Sequence, residues 1–328
     1  MDRLGIVVYH GIESGSELGQ YGTLAERAGF ESIWVTERYF HEETFSMLGY
    51  LAASTSAIRL GVGVVNPFTR HPALLAMAAA TTDRISGGRL ILGLGRSDRP
   101  VIEGKMGIAY DESRAALGET VGAVRRLLTG ETETSRSGRL TMNGVHLGVS
   151  PVQSNLPIYL AGIGPRALRL AGAVADGVLL NAYVPTEYVR FAVGEVRAGA
   201  VEAGRDRDAV DIACMMVVRP TEDPAKTRTS LKERIVRLLD EPHVGEVLLE
   251  KGGFDASIVG PLRRSVQEDG GKRAVALVTD EMVDAFYLIG SESDIKRRVG
   301  EYRAAGVTLP LLLPRLESFG EVVEMFAG

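Results

Sequence analysis

The chain has 328 residues, of which 45% are hydrophobic and 24% are charged, and its net charge is -5. This balance is typical of a globular enzyme with a large core, and without a basic run we expect no nucleic-acid partner. A single cysteine, Cys214, excludes a disulfide framework and a cysteine-ligated metal. Because no apolar run is long enough for a signal peptide or a membrane span, we predict a cytoplasmic protein with no membrane partner.

Short apolar runs alternate with stretches of helical periodicity along the chain. Apolar runs without polar alternation are typical of strands buried on both faces of a parallel sheet. Eight runs of this kind occur, over residues 4–9, 32–36, 58–65, 89–94, 157–160, 177–180, 210–218 and 307–313. The periodic stretches predict helices over residues 16–29, 44–56, 72–85, 111–129, 165–173, 186–203, 224–239, 291–305 and 318–326.

This alternation predicts an α/β protein with a parallel sheet and crossover helices. Eight strands in a chain of this length fit a (β/α)8 TIM barrel, and we expect a single barrel domain over residues 1–328. A doubly wound open sheet is the alternative. An open sheet would not require the last predicted strand and helix, and no GxGxxG motif at a first strand–helix turn supports such a sheet.

Two stretches interrupt the alternation, and we predict that they are insertions in the barrel. Residues 131–153 are polar and rich in turn signals, and Asn143-Gly144 between strand-like pieces predicts a β-hairpin. Residues 241–272 are irregular, with a helix predicted over 257–268. Neither insertion contains a recognisable motif, so the sequence assigns no substrate.

The third predicted strand carries two glycines, Gly61 and Gly63, and then turns abruptly at Asn66-Pro67. Glycine inside a strand weakens it and marks a bulge, a bend or the close approach of a ligand or another backbone. We therefore predict that a flat cofactor lies against this strand.

The carboxyl ends of the strands should carry the active site, because barrels of this kind build it from the loops that follow them. Asp98, after the fourth strand, is either a proton donor or acceptor or a loop carboxylate paired with a neighbouring arginine. The adjacent residues Glu37 and Arg38 also allow two interpretations: they act together in the active site, or they form a structural ion pair. The other polar candidates at this edge include Tyr9, His10, His41, Asn66, Arg70 and His71.

The segment AGIGPRAL, which begins at Ala161, follows the fifth predicted strand. Its glycines let backbone N–H groups approach an anion, and the helix that starts at Pro165 favours negative charge at its N-terminus. Arg166 would add a charge-assisted hydrogen bond. The alternative is a glycine loop that turns tightly into a helix, but the late position in the barrel favours a phosphate site.

Other catalytic motifs are missing from the sequence. The five histidines show neither HxH nor HExxH spacing, so we predict no metal site. There is no GxSxG motif and no readable Ser-His-Asp order, which argues against an activated nucleophile.

Four segments together resemble the bacterial luciferase-like superfamily: GFESIWVTER, LGVGVVNPFTRHP, SGGRLILGLGRSD and PIYLAGIGPRALRLAGAVADG. They are most similar to its members that use the deazaflavin coenzyme F420. The resemblance follows the motifs through about residue 185, and it implies a TIM barrel with an insertion, usually dimeric. It also implies a cis peptide bond that does not involve proline. By motif, this bond falls at Gly63-Val64.

The resemblance further implies roles for individual residues. The family's acidic residue falls on Asp98, while Glu37 and Arg38 replace an aspartate and a histidine of the sugar-phosphate dehydrogenases. Arginine cannot donate and recover a proton near neutral pH, so that substrate is not carried over. The implied cofactor-binding residues are Gly63, Val64 and Asn66 at the ring, and Ala161, Gly162, Ile163, Gly164 and Gly177 at the phosphate.

We therefore predict an F420-dependent oxidoreductase that transfers a hydride between the deazaflavin and a small organic molecule, with Asp98, Glu37 and Arg38 as catalytic candidates. One alternative is an FMN-dependent monooxygenase of the same superfamily. A second alternative is a barrel that binds a flavin without catalysis. A homodimer is expected from the resemblance alone.

Overall fold

The computed structural model describes residues 2–110, 113–137 and 140–327 of the chain. The strands are β1 Gly5–Val8, β2 Ser32–Val35, β3 Arg59–Val62, β4 Leu90–Leu94, β5 Glu133–Ser137, β6 Leu140–Val145, β7 Ile158–Ala161, β8 Gly177–Leu180, β9 Asp211–Pro220, β10 Leu288–Gly290 and β11 Leu309–Leu313. The first residues of the helix predicted over 111–129, Asp111 and Glu112, lie outside the described residues.

The α-helices occupy most of the connections between the strands. They are α1 Gly15–Arg27, α2 Thr44–Ser54, α3 Pro72–Ser86, α4 Ser113–Leu128, α5 Pro165–Val174, α6 Thr186–Glu202, α7 Pro224–Asp240, α8 Val244–Gly252, α9 Val259–Asp269, α10 Asp280–Phe286, α11 Glu292–Ala304 and α12 Phe319–Phe326. A π-helix spans Pro100–Lys105, after β4. No helix within the described residues is both long and apolar enough to cross a membrane.

Eight of the strands form a closed parallel barrel. Each strand pairs with the next in the order β1, β2, β3, β4, β7, β8, β9 and β11, and β11 pairs with β1 again. This closure confirms the predicted (β/α)8 barrel and excludes the open sheet. The additional strand β10 pairs with the end of β9 and was not predicted, because three residues are too few to show a periodicity.

The hairpin predicted after the fourth helix is present as β5 and β6, but its turn is not at Asn143-Gly144. Those two residues lie inside β6, at a point where the register between the strands shifts by one residue. Gly144 has a φ of 65° and its N–H donates to the Thr134 hydroxyl at 3.0 Å. The Asn-Gly pair therefore marks a β-bulge, which needs the same left-handed backbone conformation as a tight turn.

The second irregular region contains more helix than predicted. The expected helix over 257–268 is observed as α9, preceded by one 3₁₀ turn at Ala256–Ile258. Helix α8 was missed. It spans nine residues between a left-handed His243 and a left-handed Gly253, so it offers little periodicity to read.

Two aromatic side chains fill the barrel towards the end at which its strands begin. Trp34 on β2 is fully buried, and a Cβ atom on Gly61 would lie only 2.1 Å from its indole ring. Tyr159 on β7 covers Gly177 in the same way, at 2.5 Å. The indole packs against the backbone of β3, so Gly61 makes room for the core rather than for a ligand.

Helices α5 and α6 cross at glycines, and this contact gives a test of the packing. A Cβ atom on Gly199 would lie 2.1 Å from the Arg169 carbonyl oxygen, whereas nothing lies within 4 Å of one on Gly194 in the same helix. We expect Gly199→Ala to lower the free energy of unfolding by about 1–3 kcal/mol, because the helices must separate. Gly194→Ala should raise it by about 0.5–1 kcal/mol. Urea denaturation measures the free energy of unfolding of both variants. Equal changes in the two would contradict the close crossing of α5 and α6.

Candidate active site

An open cavity of about 570 Å³ lies at the carboxyl ends of β1 to β4. This volume is in the range of small-molecule sites. The cavity is lined by Tyr9, Glu37, Arg38, Tyr39, Phe40, His41, Gly63, Val64, Asn66, Ser97, Asp98, Val101 and Lys105. The three predicted catalytic residues and the three predicted ring-binding residues are among them, so the structure brings these six together.

The floor of the cavity is the segment that follows β3. Gly63 still donates its N–H to the Val35 carbonyl at 2.8 Å, and Val65 rejoins the sheet with its N–H on the Gly93 carbonyl at 3.0 Å. Between them the Gly63-Val64 peptide bond is cis, as the resemblance implies. Below Gly63 lies the methyl group of Met215, and above it the half-buried backbone faces the cavity.

Asn66 is buried and its side chain is fully engaged within the protein. The amide oxygen accepts the backbone N–H groups of Phe68 and Thr69 at 2.9 and 3.0 Å. The amide nitrogen donates to the hydroxyls of Tyr39 and Thr69 at 2.7 and 3.0 Å. The Asn66 side chain thus fixes the turn and the Tyr39 phenol, and it has no donor left for a ligand.

Tyr39 lies between this turn and the fourth loop. Burial raises the pKa of its phenol to about 12, and the nearby charges of Glu37 and Asp98 act in the same direction. The phenol is therefore neutral at physiological pH. Its oxygen accepts a hydrogen bond from the Asn66 amide at 2.7 Å, and the neighbouring Ser97 side chain acts against the rise in its pKa.

Glu37 forms an ion pair with Arg70 and not with its neighbour in sequence, Arg38. The Arg70 guanidinium contacts Glu37 and also donates to Glu43 at 2.6 Å, and the Thr44 hydroxyl donates to Glu37 at 2.7 Å. The side chains of Arg70 and Glu37 are only 18% and 10% exposed. This geometry is that of a structural ion pair which joins the second loop to the start of α3.

The Glu37–Arg70 pair gives a second test. We expect Glu37→Gln to lower the free energy of unfolding by about 1–3 kcal/mol, because it leaves a largely buried guanidinium with one partner fewer. A double-mutant cycle with Arg70→Met, followed by urea denaturation, measures the coupling. A loss of turnover in Glu37→Gln at unchanged stability would instead favour a catalytic role for Glu37.

Arg38 belongs to the opposite wall of the cavity. Its guanidinium donates to the Tyr9 hydroxyl at 2.8 Å and lies 5.6 Å from the centre of the Tyr9 ring. The imidazole rings of His10 and His41 are tilted against each other at this wall, with their centres 4.2 Å apart. Burial lowers the pKa of His10, as do the neighbouring His41 and Arg38, and this wall of the cavity is polar.

Asp98 stands at the start of the π-helix with one carboxylate oxygen fixed and the other open. Its Oδ1 accepts the Val101 N–H at 2.8 Å, whereas Oδ2 has no partner among the described residues. Arg99 pairs with Glu103 at 2.7 Å, and Arg96 donates to the Tyr110 hydroxyl at 2.9 Å. Neither neighbouring arginine is therefore paired with Asp98, and its exposed carboxylate faces the cavity.

The loop after β7 adjoins the cavity without lining it. Gly95 lies between the cavity residue Val64 and this loop, because a Cβ atom on Gly95 would lie 2.5 Å from Val64 and 3.4 Å from the Ala161 side chain. The N–H groups of Ile163 and Gly164 have no acceptor in the described part of the chain, and Gly164 caps α5 without a side chain. Arg166, in the first turn of α5, is exposed and forms no ion pair with any described residue.

Gly177 does not belong to this edge of the barrel. It is the first residue of β8, paired with Tyr159 and Asp211 at the end where the strands begin. Since Tyr159 covers it, no ligand reaches it, and we exclude it from the candidate cofactor site.

A profile of the luciferase-like monooxygenase family matches residues 3–309. The chain belongs to this family. The match spans the barrel from before β1 to the start of β11, and so includes the cavity and the loop after β7.

Several relatives with similar sequences are named as reductases. The 5,10-methylenetetrahydromethanopterin reductase of Methanolobus tindarius is 34% identical over 89% of this chain and 88% of its own. That of Archaeoglobus fulgidus is 35% identical over 89% of this chain and 87% of its own. Among solved structures, the coenzyme F420-dependent tetrahydromethanopterin reductase of Methanopyrus kandleri superposes with a TM-score of 0.85 at 26% identity, covering 99% of this chain and 97% of that one.

The cavity of this luciferase-like protein also contains residues that were not singled out from the sequence, namely Tyr39, Phe40, Val101 and Lys105. Tyr39 directly follows Glu37 and Arg38, and its position in the second loop is the signal that could have identified it. Val101 and Lys105 lie on the π-helix, which carries no periodicity that sequence reasoning would recognise. Lys105 contributes a positive charge at the mouth, 5.9 Å from the Phe40 ring.

Proposed function

We propose that this protein is an F420-dependent oxidoreductase that transfers a hydride between the deazaflavin and a small organic substrate. The observation that carries the proposal is the cavity itself. It combines an exposed backbone floor at Gly63 and Val64, an open carboxylate at Asp98 and a neutral phenol at Tyr39. The F420-dependent reductase that superposes over nearly the whole chain supports the choice of cofactor.

The residues present fit a flat ring with an anionic tail. The ring would lie on the backbone of Gly63 and Val64, which faces the cavity. The missing side chain of Gly63 makes room for the Met215 methyl group below it. The tail would extend across Gly95 towards the N–H groups of Ile163 and Gly164. Free N–H groups at a helix N-terminus bind anions favourably, and Arg166 stands beside them.

The cofactor, when bound, supplies the hydride chemistry, and the protein supplies position and proton control. Asp98 would hold or accept a proton at its free Oδ2, since Oδ1 is fixed by the Val101 N–H. Tyr39 would donate a hydrogen bond from a phenol that stays neutral. Arg38 would stabilise negative charge on the substrate, because a guanidinium does not exchange its proton near pH 7.

Fluorescence titration of the purified protein with F420 and, in parallel, with FMN tests the proposal. We expect saturable binding of F420 and at least tenfold weaker binding of FMN. Preferential binding of FMN would favour a flavin-dependent monooxygenase, and binding of neither would refute both. If F420 binds, the methylene pterin on which both relatives act is the first substrate to assay.

The assembly and location of the protein also stay predictions. We infer a homodimer from the family resemblance and from α3, which exposes Leu74 and Met77 at 55% and 48%. Light scattering after gel filtration should give twice the chain mass, and Met77→Glu should shift it towards the monomer. The expected cytoplasmic location is open to test by cell fractionation.

A further inference from the structure

Three arginines from three different elements gather at the same edge of the barrel. Arg219 lies near the end of β9, Arg234 on α7 and Arg315 just after β11. None of the three forms an ion pair with any residue that the structure describes, whereas the half-buried Arg70, Arg125, Arg228 and Arg298 each do. We call these three residues the arginine cluster.

Arg219 is the most enclosed member of the arginine cluster. Its Nε is buried without a hydrogen-bond partner, and its Nη1 donates only to the adjacent Val218 carbonyl at 2.6 Å. Its guanidinium lies 5.9 Å from the centre of the Tyr287 ring. Burial lowers the pKa of Arg219, and the positive charges of Arg315 and Arg234 lower it further.

The phenols of Tyr183 and Tyr287 hold the arginine cluster together. Their rings meet edge to face at 5.1 Å, and Arg234 donates to the Tyr183 hydroxyl at 3.4 Å. Tyr183 has a left-handed backbone with φ of 64°, which turns it from the end of β8 towards this group. These contacts position the guanidinium groups of Arg219 and Arg234, and most N–H donors of the arginine cluster have no acceptor among the described residues.

The arginine cluster continues the polar wall of the cavity. The Tyr183 phenol raises the pKa of Arg234 most, and the Tyr9 phenol, whose oxygen accepts from Arg38, acts in the same direction. His10 lies within electrostatic range of both Arg38 and Arg234. Positive charge therefore extends from Arg38 across Tyr9 to the arginine cluster, on the side of the cavity opposite Asp98 and the loop after β7.

Arg219 is half-buried and the other two arginines are exposed, and holding a partly buried cation beside like charges is unfavourable unless a counter-charge joins them. Guanidinium groups are the side chains best suited to carboxylates and phosphates, because their planar N–H pairs match two oxygens. We propose that Arg219, Arg234 and Arg315 bind an anionic group of the substrate, a carboxylate or a phosphate. The substrate part of this inference rests on the proposed function, since it assumes that the cofactor occupies the opposite side.

Isothermal titration with inorganic phosphate and with malonate tests the arginine cluster without knowledge of the substrate. The wild type and Arg219→Gln, Arg234→Gln and Arg315→Gln are titrated at low chloride, with and without F420. Arg237→Gln is the matched control, because Arg237 is an exposed arginine on the same helix as Arg234 and pairs with Glu233. Thermal melts identify any variant that fails to fold, and the two exposed arginines keep the test valid if Arg219→Gln is lost.

We expect saturable anion binding to the wild type and to Arg237→Gln, weakened at least tenfold in each variant of the arginine cluster. The affinity for F420, measured by fluorescence, should be unchanged in all of them. Anion binding that is absent, or equal in all variants, would overturn the proposal whether or not F420 binds. A parallel loss of F420 affinity would assign the arginine cluster to the cofactor and overturn it as well. Failure of F420 to bind the wild type would refute the proposed function but leave the anion test of the arginine cluster in place.

Discussion

Asp98→Asn should lower turnover with F420 by about 10²–10⁴-fold while the affinity for F420 stays within a factor of about three, the usual range for a lost general acid or base. The reason lies in the two oxygens of Asp98. An asparagine still accepts the Val101 N–H through its amide oxygen, so the start of the π-helix keeps its geometry. The group that replaces Oδ2 can neither accept nor release a proton in the reaction.

The measurement is the rate of change of F420 absorbance with the organic substrate on which the wild type turns over. Glu103→Gln is the matched control, because Glu103 is on the same π-helix and pairs with Arg99 at the surface. Its rate should equal that of the wild type. Asp98→Asn with full activity would remove Asp98 from the mechanism and would favour Tyr39 as the proton donor.

Asn66→Ala should lower the free energy of unfolding by about 2–4 kcal/mol, since two part-buried backbone N–H groups each lose the Asn66 oxygen as acceptor. Asn66 is 1% exposed, so water cannot replace the lost oxygen without entering the turn. The substitution also releases the Tyr39 phenol. We therefore expect weaker binding of F420 in Asn66→Ala even at temperatures where the variant is folded.

Asn181→Ala is the appropriate comparison for Asn66→Ala. Asn181 follows β8 at the same edge of the barrel, is exposed and accepts only the Ala182 N–H. Its replacement should change the free energy of unfolding by no more than about 0.5 kcal/mol. Urea denaturation followed by circular dichroism measures both variants. Similar values for the two would mean that the Asn66 network does not hold the turn.

The barrel was predictable from the sequence because parallel strands buried on both faces leave continuous apolar runs. All eight barrel strands were located in this way. Strand β10 and helix α8 were not, because each is too short to show a period. The Asn143-Gly144 pair shows a second limit, since a left-handed glycine serves a bulge as well as a turn.

The position of the site was predictable from the sequence, but the ion pairs within it were less predictable. The rule that loops after the strands form the active site placed Asp98, Gly63 and Val64 correctly at one cavity. It did not show that Glu37 binds Arg70, because an ion pair between residues 33 positions apart leaves no local pattern. Glycines were the most ambiguous signal. Gly61 and Gly177 lack side chains because Trp34 and Tyr159 occupy the space, and only the packed structure reveals that.

We propose that F420 binds on the backbone of Gly63 and Val64 with Asp98 beside it. A crystal structure of the protein grown with F420 tests this most directly. We predict that the deazaflavin ring lies in van der Waals contact with the Gly63-Val64 peptide, about 3.5–4 Å away, and that its phosphate meets the N–H groups of Ile163 and Gly164. A ring bound against the arginine cluster, or a cavity that stays empty at saturating F420, would contradict the account.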